Sequence, residues 1–299
     1  MASGMQAFKD NGELLWDTNL ICYGLLKSGP LNVVDVWPRY LYKSLDLNPN
    51  EESSWREDIP KQPITGITVY DSISPVVFLV GDGSRCGEMV SGNARTLLFY
   101  GTTPETKAYV FDLMRDVGDS SGLNCYSDTG VLTFTSGMPP LNIAALVAAP
   151  PLDDIIPGTE NMPQPNQQWN AFKNGTTEEV FSGLGTYTPY LKGIGTVPVF
   201  NEEIAAHLTF SRSGGVVWRS GSPVGGSTQG VSNGPGSVMG MQEGCGGTSD
   251  GKVRFFFIPA PTTTRRGLTN NANIWFDIPR DRNPSALVIK TSQYPYPFR

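Results

Sequence analysis

Histidine is almost absent from this chain of 299 residues: His207 is the only one. A serine–histidine pair would have to use it. The Gly-x-Ser-x-Gly match at Gly230 to Gly234 lies in Gly/Ser/Pro-rich sequence, without the strand-then-helix setting a nucleophile elbow needs. Cysteine is also sparse. Cys22, Cys86, Cys125 and Cys245 are far apart and make no Cys-x-x-Cys, which leaves a zinc ribbon or a thioredoxin-type motif without support. Free thiols in a protein assembled in a reducing cytoplasm fit best. Phosphate-cradling glycine motifs are missing as well. No catalytic, cofactor-binding or metal residue is assigned, and the chain reads as a non-enzyme. The longest nearly apolar stretch, Ile143 to Leu152, contains Pro150 and Pro151 and is too short to span a bilayer. The opening lacks the basic–apolar–small pattern of a signal peptide, so secretion by that route is not expected.

Charge is scarce too. Charged residues make up 17% of the chain, while Gly (34) and Pro (24) are raised. Gly and Pro break helices, and no Ala/Glu/Lys/Leu-rich run offsets them. The expected fold is mainly β: short-strand sandwich or barrel-like domains with long Gly/Pro-rich loops and little helix. The net charge of −6 argues against wrapping nucleic acid, which needs a basic face. The balance is uneven. Residues 252–299 hold eight Lys/Arg against two acids, so an acidic body and a basic end could dock copies by charge complementarity.

Three regions follow from the pattern: an N-terminal β domain (1–137), a Pro-rich linker (138–165) and a C-terminal β domain (166–299) with a Gly-rich loop at 213–251. Strands are expected at 64–70, 75–80, 96–100, 108–112, 197–200, 207–210, 253–258, 274–278 and 286–290. Residues 44–63 read as a long polar loop. The chain opens on a hairpin whose turn contains Asn11-Gly12, residues that tolerate positive φ.

That hairpin recurs. Gly122 to Ser136 aligns without a gap on Gly4 to Thr18, at a constant offset of 118 residues. Gly4/Gly122, Asp10/Asp128, Gly12/Gly130 and Leu14/Leu132 are identical, and Phe8/Tyr126 and Trp16/Phe134 place an aromatic on each arm. Two aromatics on one face of paired strands can pack across the ladder.

The opening Met1-Ala2-Ser3-Gly4-Met5-Gln6, the aromatic–turn–Gly–aromatic pattern after it, the segment Tyr109-Val110-Phe111-Asp112 ahead of Gly122 and the run Pro75 to Val80 resemble a group of bacteriophage tail-region proteins. The resemblance covers roughly residues 1–150. It implies a virion component of the tail tip or baseplate, located in the tail after assembly in the host cytoplasm. The partners it implies are other virion tail proteins, further copies of the chain (a trimer is favoured) and, as a candidate, a host-surface receptor. Nucleic acid and membrane are not expected partners, and no cofactor is implied.

Gly4, Met5, Phe8, Gly12 and Trp16 are the candidate assembly contacts. Host or partner contact is placed on Trp169, Tyr187, Tyr190, Arg265 and Arg266, because exposed aromatics beside Asn, Gln and Ser supply contact area at small entropic cost, and recognition sits on loops held by a rigid framework. Two alternatives stay open: a carbohydrate-binding, lectin-like module, and a virion-associated glycan hydrolase, whose paired carboxylates need only spatial proximity.

Overall fold

The structure, a computed structural model, describes residues 6–8, 10–12, 14–17, 20–42, 48, 50–118, 122–156, 167–180, 190–219, 234–269 and 274–299. Within them the chain is mainly β. The first half contributes β1 (Gln6–Phe8), β2 (Leu14–Asp17), β3 (Tyr23–Pro30), β4 (Asn32–Tyr42), β5 (Trp55–Tyr70), β6 (Val76–Val80), β7 (Ser84–Ser91), β8 (Ala94–Tyr100), β9 (Lys107–Leu113), β10 (Asn124–Tyr126) and β11 (Leu132–Thr135). The remainder gives β12 (Ala145–Ala148), β13 (Thr176–Val180), β14 (Tyr190–Pro198), β15 (Ile204–Leu208), β16 (Ser213–Arg219), β17 (Gly234–Gly247), β18 (Lys252–Thr269), β19 (Ile274–Phe276) and β20 (Ser285–Lys290). The only helical pieces among the described residues are two 3₁₀ turns, Glu52–Ser54 and Thr291–Gln293.

Sixteen of the strands join one branched sheet, and β1–β2 and β10–β11 stand apart as two-stranded hairpins. Branching arises because long strands change partner along their length. β18 pairs with β14 over Lys252–Phe257 and meets β4 at Thr264 and Arg265. β17 runs beside β18 along its whole length and touches β6 at Gly247. Strands of 18, 16 and 14 residues (β18, β5 and β17) are longer than the short strands expected from the sequence.

Successive strand residues point to opposite faces, and here both faces are covered. Phe255 and Phe257 enter one core with Phe172, Val216 and Trp275, while Phe256 enters another with Ile64, Leu98 and Tyr100. In β6, Val77 and Leu79 face a cluster with Leu97, Val110, Met114 and Met138, while Phe78 and Val80 face Tyr109, Phe111, Ile289 and Tyr294. Each fully buried aromatic of this kind contributes about 1.5–3 kcal/mol. The last cluster draws on both ends of the chain. Lys107 Nζ reaches Glu203 at 2.8 Å, and Asp82 is met by Lys192 and, at 3.4 Å, by Arg254. Segments 1–137 and 166–299 therefore share sheet, core and ion pairs. The stretch 138–165 contributes β12, which pairs with β20.

Two segments read as loops are corrected. Trp55–Pro63, inside the expected loop, extends β5 and pairs with β4. Pro60 falls where the register shifts, between the Trp37–Gln62 and Arg39–Asp58 pairs, so no ladder bond is asked of it. The Gly-rich stretch 213–251 holds β16 and β17, and only 220–233 of it lies outside the described residues. Its glycines permit close approach. A Cβ at Gly246 would run into the Gly81 carbonyl, and one at Gly247 into the Ile204 carbonyl. Bare backbone is what lets β17 cross these neighbours.

Candidate assembly surface

In the first hairpin Gln6 faces Asp17, Ala7 faces Trp16 and Phe8 faces Leu14, with a register shift between Ala7 and Phe8. In the second, Asn124 faces Thr135, Cys125 faces Phe134 and Tyr126 faces Leu132, with the shift between Cys125 and Tyr126. Every pair maps onto its counterpart at the offset of 118, bulge included. The extra residue is Leu15 in one hairpin and Thr133 in the other. The turn glycines match as well, Gly12 at φ 82° and Gly130 at φ 79°. In the second turn Gly130 N–H donates to Ser127 O at 2.9 Å and Ser127 N–H to Val131 O at 2.7 Å, which fixes the loop length.

A bulge turns its carbonyl out of the ladder. In the second hairpin that carbonyl, Thr133 O, accepts Cys22 N–H at 3.0 Å, and Cys22 O accepts Met114 N–H at 2.8 Å. Thr133 and Thr135 are buried, and half-buried Leu132 and Phe134 rest on the cluster containing Met114 and Met138. The seat lies just beyond the first hairpin, where Leu20 N–H donates to Asp17 O at 3.0 Å.

Both hairpins, with the residues next to them in sequence, expose apolar side chains. Phe8 is 56% exposed and its counterpart Tyr126 54%. Leu20, Ile21, Leu123 and Val131 are exposed as well, and Asp10 and Asp128 are exposed in the two turns. Of the expected assembly contacts, Phe8 and Gly12 are exposed. Trp16 is placed by its backbone opposite Ala7, and Gly4 and Met5 lie outside the described residues. Tyr126, which the offset applied to Phe8 names, was not among the expected contacts and is exposed to the same degree as Phe8.

The other candidates fall on separate elements. Trp169 is 57% exposed, on a rigid mount: buried Gln168 exchanges backbone bonds of 2.7 and 3.0 Å with Trp275. Tyr190 opens β14 opposite Val180. Arg265 and Arg266 lie far along β18, opposite Val238 and Ser237. Tyr187 lies outside the described residues.

A cavity of about 570 Å³ opens elsewhere, where β6 and β15 share one pair, Leu79 with Ala206, and then part. Val76, Phe99, His207, Cys86 and Cys245 are in its lining, and no carboxylate is among the described lining residues. His207 Nδ1–H donates across the opening to Val77 O at 3.0 Å. Burial lowers the imidazole below its ordinary value, which keeps it neutral. Burial also pushes the Cys86 thiol up to about 11 and the Cys245 thiol up further, so both stay protonated and poorly nucleophilic at neutral pH. Ser232 of the Gly-x-Ser-x-Gly match lies outside the described residues. Asp154, Glu202 and Glu203 each pair with a different lysine, Lys173, Lys290 and Lys107. Among the described residues no group of three His, Cys, Asp or Glu could hold a metal ion.

No family model, curated protein or solved structure matches the chain.

Proposed function

We propose that the chain is a structural component of a bacteriophage tail tip or baseplate, fixed in its assembly through the end that carries the two hairpins. The observation that carries this reading is the pair of hairpins with one register, one bulge position and one exposed aromatic each. A lone binding module has no need of a second copy of such an element, whereas a part that fits into a repeating framework does. The likeness of residues 1–150 to tail-region proteins supports the same reading. Virion tail proteins and further copies of the chain are the partners it calls for. Deleting residues 1–19 and looking for the protein in purified particles tests it. The expected result is loss of the protein from particles, and normal incorporation of the truncated chain would contradict the reading.

A second role, contact with a host-surface receptor, is favoured by Trp169, whose indole stands out from a clamped backbone. Trp169→Ala is expected to lower adsorption of particles to cells without changing particle yield.

A further inference from the structure

We infer that Phe8 and Tyr126 enter two equivalent sockets, supplied by two identical subunits of one homo-oligomeric partner, each socket an apolar pocket edged by basic side chains. The inference rests on the proposed place of the chain in a tail assembly, and adds what kind of partner it meets there.

At the offset of 118 the described backbones agree pair for pair, and Gly12 and Gly130 each sit near φ 80°. Phe8 and Tyr126 occupy the same position beside the bulge and leave the same share of their surface to water. An exposed aromatic is an ordinary surface feature when it stands singly. Two at matched positions on matched backbones are a repeated shape, and a repeated shape fits a repeated receptor. A single partner chain with one fold offers one such socket, but a symmetric homo-oligomer offers the same socket once per subunit. The chain would then engage two partner subunits per copy.

Charge gives the socket its edge and excludes one occupant. Segments 9–13 and 127–131 carry the same net charge of −1, from Lys9, Asp10 and Glu13 in one and from Asp128 in the other, and Asp10 and Asp128 are exposed at the same position. A basic rim complements both. A second copy of this chain meeting the surface hairpin to hairpin would bring those carboxylates together, which costs energy. The second hairpin also shows that this backbone can dock. Its second strand is already seated on Cys22 and Met114 through Thr133 and Thr135, while Tyr126 on the first strand remains exposed. Bivalent attachment through two weak sockets holds far better than either alone, because the second contact forms at high effective concentration.

The test replaces Phe8, and separately Tyr126, with p-benzoylphenylalanine, irradiates purified particles and identifies the cross-linked peptides by mass spectrometry. The expected result is one and the same peptide of one and the same other virion protein from both positions. Cross-links to two different proteins, to two different peptides of one protein, to another copy of this chain, or from one position alone would overturn the inference while leaving the tail assignment standing. Absence of the chain from particles would overturn both. As a second measurement, Phe8→Ala and Tyr126→Ala are each expected to lower incorporation about tenfold, the worth of a ring partly withdrawn from water. Unequal losses, large for one and none for the other, would also count against equivalent sockets.

Discussion

The two hairpins share a backbone and differ in what lies beneath them. The one at 124–135 is bonded to the body through its bulge, with Cys22, Met114 and Met138 as its seat. The one at 6–17 precedes that seat in the chain and cannot use it, because the seat is taken. Both nevertheless show the same pairs, the same bulge and the same glycine φ. Register in these hairpins is therefore set locally, by loop length and by a glycine at the left-handed position, and not by the surface underneath. The seat decides something else, namely which side of the hairpin remains free for a partner.

Substitutions can break that comparison, and the largest effect belongs to the seat. Met138 is fully buried, so Met138→Ala is expected to cost about 2–5 kcal/mol of unfolding free energy in urea titration. Phe8→Ala, at an exposed position, should stay within about 0.5 kcal/mol. Next come the turns. Nothing lies within 4 Å of a Cβ added at Gly12 or at Gly130, so the cost of Ala at either is conformational alone, about 1 kcal/mol. Hydrogen exchange of the strand amides should report equal loosening of both hairpins, and a several-fold difference would end their parity.

A smaller effect separates the hairpins from the body. Neither hairpin contains histidine, whereas His207 is held below its ordinary value of 6.5 by burial. Its contribution to stability is full above that value and is lost as pH falls through the lower folded-state value. Melting temperature should drop from pH 7 to pH 5, the drop should shrink in His207→Gln, and hairpin exchange corrected for intrinsic rates should not follow it. The smallest effect is chemical. In the native protein Cys245, fully buried, should resist alkylation, Cys86 should react slowly because its thiol is protonated, and Cys125 on the second hairpin should be labelled sooner.

Much of this was legible in the sequence, and the rest was hidden for one physical reason. The Asn11-Gly12 turn, the matched hairpin at 122–136 and strands such as Val76–Val80 and Ser285–Lys290 are written in local residues, because turn chemistry and apolar alternation act over a few positions. Pairings such as Leu79 with Ala206 and Val80 with Gly247 join residues far apart in the chain, and nothing near either partner announces the other. The glycines of β17 mislead on the same account. Read locally, Gly244, Gly246 and Gly247 suggest a loop, yet they are a strand's allowance for the backbone of 81–83 and 204 pressing against it. Exposure of Trp169 was a matter of context too, fixed by the clamp between Gln168 and Trp275. Of the candidate contacts, Phe8 and Gly12 were named from turn chemistry, while Tyr126 becomes a candidate once the offset of the repeat is applied to Phe8.

The central claim is that the two hairpins are one contact element used twice. It is tested most directly by a chain in which residues 4–18 carry the sequence of 122–136. Expressed in place of the natural chain, this variant is expected to enter particles at the natural level, because backbone, turn and aromatic position are all retained. Loss of the variant from particles, with its melting temperature unchanged, would show that the two hairpins meet different surfaces and would contradict the account.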